Sequence, residues 1–276
     1  MTAEHLAFRR AIVANPRDLL ARLVFADYLE ETGDPNHVAR AHLIRAQIAL
    51  DDPTTDAEEF DRLQAFEERL LDLFREEWDR ELPMWLLEEG AAVYLNGFVE
   101  HVQLSFTRFF RSANELFDAV PLRSIQLVPP SPRPETIVGQ FDRLPRLSQI
   151  QSLKLGPDAN ELTYIPIQWD SFESPLFTEV MRCRTLTGVR TLDLARNRID
   201  DRWLTAFAAV LPMSAFGGTL EVLNLSDSYH LTDDGGDTLA TAASLSGLKR
   251  LILTDVPFTS ATRSRLRRAF GDRVRF

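Results

Sequence analysis

The chain has 276 residues, 45% of them hydrophobic and 26% charged, with 12 Gly and 15 Pro, a composition that excludes global disorder and collagen-like repetition. A single cysteine, Cys183, excludes internal disulfides and a cysteine-based zinc site, and no apolar run reaches the roughly 20 residues that span a bilayer. Net charge is −10 but uneven: residues 1–90 hold 10 Arg against 21 acidic residues, so this part repels phosphate backbones and general nucleic-acid binding is not expected.

The first ninety residues predict helices. Leu6, Ala7, Ala11 and Ile12 give helical spacing over residues 3–14, ended by Asn15-Pro16. A second helix over 17–32 carries Leu19, Leu20, Leu23, Val24 and Ala26 to Tyr28, with Gly33 as its stop. Asp34-Pro35 starts a third, running to Leu50. A fourth, over 55–78, steps through Phe60, Leu63, Phe66, Leu70, Leu71 and Phe74, with a charged side that reads as a solvated face.

Within this part, Leu19 to Pro35 (LLARLVFADYLEETGDP) followed by Ala41-His42-Leu43-Ile44-Arg45-Ala46-Gln47 resembles a small bacterial helical module, the repeat-companion domain, whose pattern is RLVFADWLEERGDP followed by EFIRxQ. The chain departs from it with Tyr28 in place of Trp and with Ala41-His42 where an acidic residue and Phe are common. The resemblance implies company with a repeat array and no biochemical activity. Asp27 and Arg45 fall on apolar helix faces, where a lone charge is expensive, so they are expected to pair with each other or with backbone groups in a structural role.

From residue 91 onward a motif with apolar first, fourth and sixth places recurs at Val99–Leu104, Leu122–Leu127, Ile150–Leu155, Val189–Leu194, Leu220–Leu225 and Leu248–Leu253. Helical patterns lie between the copies over 112–120, 175–184, 201–211, 236–245 and 260–270, and 271–276 is expected to add a last short strand. The array resembles leucine-rich repeats, with the family's asparagine at Asn197 placed to satisfy backbone groups at a turn, and with Leu231-Thr232-Asp233 similar to an LTD signature. Most other copies lack the asparagine: Pro130, Asp158, Ser228 and Val256 stand there.

The resemblance implies an α/β architecture of ribonuclease-inhibitor type: a right-handed solenoid of about six irregular repeats over 91–276, with a parallel concave sheet and outer helices, preceded and capped by the helical domain of 1–90. In that geometry the third and fifth motif places face outward from the sheet. They are His101, Gln103, Ser124, Gln126, Ser152, Lys154, Thr191, Asp193, Val222, Asn224, Arg250 and Ile252, the expected partner-binding set. The long interval between the third and fourth copies adds Tyr164, Ile167 and Trp169 on an inserted loop.

No HExxH, GxSxG, P-loop or GxGxxG occurs, and the five histidines are scattered, so neither a catalytic centre, a metal nor a cofactor is expected. The expectation is a cytoplasmic, non-enzymatic protein-interaction module, a monomer by preference, with an unidentified protein partner and no nucleic-acid or membrane contact. A recognition or regulatory subunit of an enzyme complex is the alternative. A hydrolase using Asp27 or Cys183 is the third reading.

Overall fold

The computed structural model describes residues 2–128, 139–156 and 175–276. Among these lie ten α-helices and eight strands in an α/β arrangement, parallel from β3 onward. Two compact units are present, residues 1–103 with 114–123, and residues 104–113 with 124–276.

In the first unit, α1 (Ala3–Ala14), α2 (Leu19–Glu31), α3 (Pro35–Leu50) and α4 (Ala57–Asp79) match the expected helices within two residues. Each begins where a short polar side chain takes an orphan backbone N–H: Thr2 accepts from His5, Asp18 from Ala21, Asp34 from Asn36 and His37, Asp56 from Glu59. Ile12, Phe25, Ala26, Leu29, Ala41, Ile44 and Phe98 close the core.

Sequence periodicity does not anticipate α5 (Met84–Glu89) or β1 (Ala91–Leu95), which forms an antiparallel hairpin with β2 (Phe98–Ser105). The expectation of an all-parallel sheet is corrected here. Asn96 (φ +51°) and Gly97 (φ +79°) make the two-residue turn, a conformation that Asn-Gly adopts cheaply and that matches strand twist. A Cβ at position 97 would overlap Ile44 Cγ1, so glycine is required there by space as well as by φ.

The hairpin's outward carbonyls are taken by helix side chains. Arg75 Nη2 donates to Ala92 O, Gln47 Nε2 to Tyr94 O, Arg22 Nη1 to Asn96 O and Arg40 Nε to Gly97 O, at 2.8–3.2 Å, while Gly97 N donates to Gln47 Oε1 at 2.7 Å. An edge strand otherwise offers these groups to another chain. The helices of this unit thus close the outer edge of β1 by side-chain hydrogen bonds as well as by packing.

After α6 (Phe106–Ala119), the second unit contains β3 (Ser124–Val128), β4 (Ser152–Leu155), β5 (Thr191–Asp193), β6 (Val222–Asn224), β7 (Arg250–Ile252) and β8 (Val274–Arg275), each parallel to the next. The fourth motif places fall in one lateral register, Ile125, Leu153, Leu192, Leu223 and Leu251, with Val274 beyond. Every first, fourth and sixth place of the six copies is buried. The repetition of the motif in sequence is therefore a repetition of the same core position in space.

The helices α7 (Pro175–Arg182), α8 (Asp201–Val210), α9 (Asp233–Thr241) and α10 (Ser260–Phe270) alternate with these strands, and α9 packs between α8 and α10. α9 starts three residues before its expected position because Thr232 caps it, which leaves Gly235 and Gly236 inside its first turns. Space demands both. A Cβ at 235 would strike Asp201 Oδ1, and one at 236 would strike Thr262 Cγ2. Asp201 in turn accepts from Thr232 N and Oγ1 at 2.9 and 2.6 Å, and Asp233 repeats the arrangement with Thr259 N and Oγ1 at 3.0 and 2.8 Å. The Thr-Asp pair of the LTD-like segment thereby links three successive helix starts.

Candidate functional site

The outward motif places form two lateral rows on β3 to β7. One is Ser124, Ser152, Thr191, Val222 and Arg250; the other is Gln126, Lys154, Asp193, Asn224 and Ile252, followed by Arg275 on β8. His101 and Gln103 lie on β2 of the first unit, both half-buried. Parallel pairing dictates the rows, because side chains two residues apart share a face and in-register strands set equivalent residues side by side.

Burial separates the members. Gln126 is only 4% exposed, against the expectation that it is accessible, and its Nε2 donates to Gly156 O at 3.3 Å. Asp193 Oδ1 accepts from Ala195 N at 2.9 Å, and Asn224 Oδ1 accepts from Ser226 N and Oγ at 3.0 and 2.7 Å. These are turns closed by an Asp or Asn side chain, in which that group secures the chain as it leaves the strand. Ser152, Lys154, Thr191, Val222 and Ile252 are half-buried and Arg250 is exposed. Among the described residues, no ion pair engages Lys154 or Arg250.

The strand exits add residues that the motif did not single out. Arg196, Asp227 and Asp255 occupy equivalent points after β5, β6 and β7 with φ of +62°, +59° and +57°. Arg196 Nε donates to Asp227 Oδ2 at 3.3 Å, and the exposed Tyr229 donates its hydroxyl to Asp227 Oδ1 at 2.9 Å. The recurring offset of two residues after each sixth motif place is the sequence signal that marks them. Arg190, Glu221 and Lys249, at the second place of successive copies, make a further charged row, with Glu221 Oε1 3.1 Å from Lys249 and 2.7 Å from Arg190. The Lys249 hydrogen bond and the two cations hold the Glu221 carboxyl below its ordinary pKa.

Asn197 fulfils its expected role: its Nδ2 donates to Leu155 O, Leu194 O and Ala195 O at 2.7, 2.8 and 3.2 Å. Ser228, the equivalent residue one copy later, is wholly buried, and its hydroxyl has no hydrogen-bond partner among the described residues.

Asp27 and Arg45 do meet, Nη2 to Oδ1 at 2.6 Å, with Glu30 on the other guanidinium nitrogen. The pair is not buried as its apolar helix faces suggested, since the side chains are 68% and 35% exposed. The buried charges lie elsewhere, at Arg22, Arg40 and Glu100. Cys183, one residue past the end of α7, is buried beside Thr185 Oγ1, and burial pushes its thiol pKa up, the opposite of nucleophile activation. Tyr164, Ile167 and Trp169, and the proline-rich 129–134, lie outside the described residues. Among the described residues, no group of three or more His, Cys, Asp or Glu side chains is placed to hold a metal, and no helix is long and apolar enough to cross a membrane.

No family model and no curated protein matches the chain. Among solved structures, a protein of Bacteroides fragilis is similar over 56% of this chain and 41% of its own, at 14% identity and a TM-score of 0.40. This chain therefore spans less than half the length of that protein.

Proposed function

We propose that residues 91–276 are a leucine-rich-repeat solenoid whose sheet face binds another protein, and that the helical domain of 1–90 caps it. In this reading the chain is a cytoplasmic, non-enzymatic interaction module. The supporting observation is the in-register stacking of equivalent motif places, which gathers ten of the twelve sequence-selected residues into two rows. A row of side chains fixed by a ladder of backbone hydrogen bonds is pre-organised, so little side-chain entropy is lost when a partner docks.

Gln126, Asp193 and Asn224 serve the turns, so contact falls to Ser152, Lys154, Thr191, Val222, Arg250 and Ile252, flanked by Arg196 and Tyr229. The test is quantitative capture from native lysate with the wild-type chain and a folded Lys154→Glu/Val222→Asp/Arg250→Glu variant. The reading expects a stoichiometric partner retained by wild type and lost by the variant. Equal recovery by both moves binding away from the sheet face and overturns it.

A further inference from the structure

Along the outer side of α4, with Arg80 at its C-cap, runs a line of residues at steps of three or four: Glu59, Arg62, Phe66, Arg69, Leu73, Glu77 and Arg80. That is the spacing of a helix seam, distinct from the buried side formed by Leu70 and Trp78. Leu73 is 65% exposed and Phe66 40%, large for apolar residues on a helix with a formed core beneath it. Beside Phe66, α3 and α4 leave an apolar groove of about 370 Å³, lined by Ala46, Ala49, Leu63 and Phe66 with His42 and Arg45 at its rim. The surface thus presents a projecting leucine and, about 10 Å along the same helix, a recess.

We infer that α4 pairs antiparallel with α4 of a second copy of this chain, Leu73 of each seated against Phe66 and the groove of the other. A two-fold axis between residues 69 and 70 makes every contact twice. It sets Phe66 opposite Leu73, Arg62 opposite Glu77 and Glu59 opposite Arg80. Each opposed pair is apolar with apolar or cation with anion. The intrahelical pairs already present, Arg62 with Glu59 and Arg80 with Glu77, then merge across the axis into two four-charge clusters. Arg69 of each copy lies next to the axis and is the one repulsive element. This self-association departs from the sequence-based preference for a monomer and is independent of what the sheet face binds.

The experiment is sedimentation equilibrium of the full chain, with circular dichroism to verify folding. Wild type is expected in monomer–dimer equilibrium, Leu73→Asp monomeric, and Arg69→Gln more tightly dimeric. Arg62→Glu and Glu77→Arg should each weaken the dimer about tenfold, the effect of about 1.4 kcal/mol, and the two together in one chain should restore it. Wild type monomeric up to about 1 mM, the weak limit of specific association, overturns the inference. So does a dimer indifferent to Leu73→Asp, or a double charge reversal no tighter than either single change.

Discussion

Arg22 on α2 forms an ion pair with Glu100 on β2, Nη2 to Oε1 at 2.7 Å, and the two side chains are 0% and 2% exposed. Burial pushes the Glu100 carboxyl pKa up, opposed by the charges of Arg22 and Arg123, the latter donating to Oε2 at 3.2 Å. Arg22 also holds Pro16 O and Asn96 O, so one guanidinium ties the start of α2 to the hairpin turn.

Removal of Arg22 leaves the buried Glu100 carboxylate with Arg123, at 3.2 Å, in place of two cations. Arg22→Met is expected to cost about 3–5 kcal/mol in urea unfolding. The double change Arg22→Met/Glu100→Met should cost less than Arg22→Met alone, because no buried carboxylate is left short of one of its two cations. A double variant as unstable as the sum of the singles would contradict the coupling.

Two glycines with similar φ separate backbone strain from space. Gly33 (φ +66°) has nothing within 4 Å of an added Cβ, so Gly33→Ala should cost about 1–2 kcal/mol from the left-handed backbone alone. Gly97→Ala meets that strain and the Ile44 side chain, and its loss should exceed that of Gly33→Ala. Thermal or urea unfolding of the two variants side by side makes the comparison.

Asn197 and Ser228 occupy the same motif place with opposite hydrogen-bond states. Asn197→Ala leaves buried carbonyls of Leu155 and Leu194 without their donor and should cost about 1–3 kcal/mol. Ser228→Ala removes a buried hydroxyl that has no hydrogen-bond partner among the described residues and should be neutral or stabilising by up to about 1 kcal/mol. Equal losses at both sites would mean that Ser228 has a partner.

His5 packs edge-on to Phe25 at 5.2 Å and is 4% exposed. Burial pushes its pKa down to about 4 from the usual 6.5; Glu81 opposes this, and His37, Arg9 and Arg40 add to it. The unfolded chain therefore binds a proton at His5 between pH 6.5 and 4 that the folded chain does not. This contribution is constant above pH 6.5 and is lost as pH falls towards 4. His5→Gln should flatten that part of the stability–pH curve, measured by urea unfolding from about pH 7.5 to about pH 4.

The strand order is legible in the sequence because the same apolar triplet recurs: Leu153, Leu192 and Leu223 each hold its fourth place, although the intervals between copies differ, and they share one register. Helix starts are legible where Asp34-Pro35 punctuates the chain. The hairpin is harder to see, although Asn96-Gly97 between alternating apolar residues is a hairpin signal, because Val99–Leu104 also fits the repeat motif and its apolar places are accounted for without a partner strand. Arg22, Arg40, Gln47 and Glu100 look like solvated residues in sequence. Their burial depends on partners as many as 78 positions apart, which no local pattern encodes. On the sheet face, periodicity gives the side each residue faces but not that Asp193 and Asn224 close turns two residues on or that Gln126 reaches Gly156 O at the end of the next strand, since neither kind of hydrogen bond leaves a periodic trace.

The most direct test of the sheet-face account is photo-crosslinking in native lysate, with a benzophenone amino acid at Val222 on the row or at Arg202 on the exposed side of α8. The account predicts a discrete adduct of defined mass from position 222 and none from position 202. An adduct from 202 with none from 222 would place the partner on the helices and contradict it.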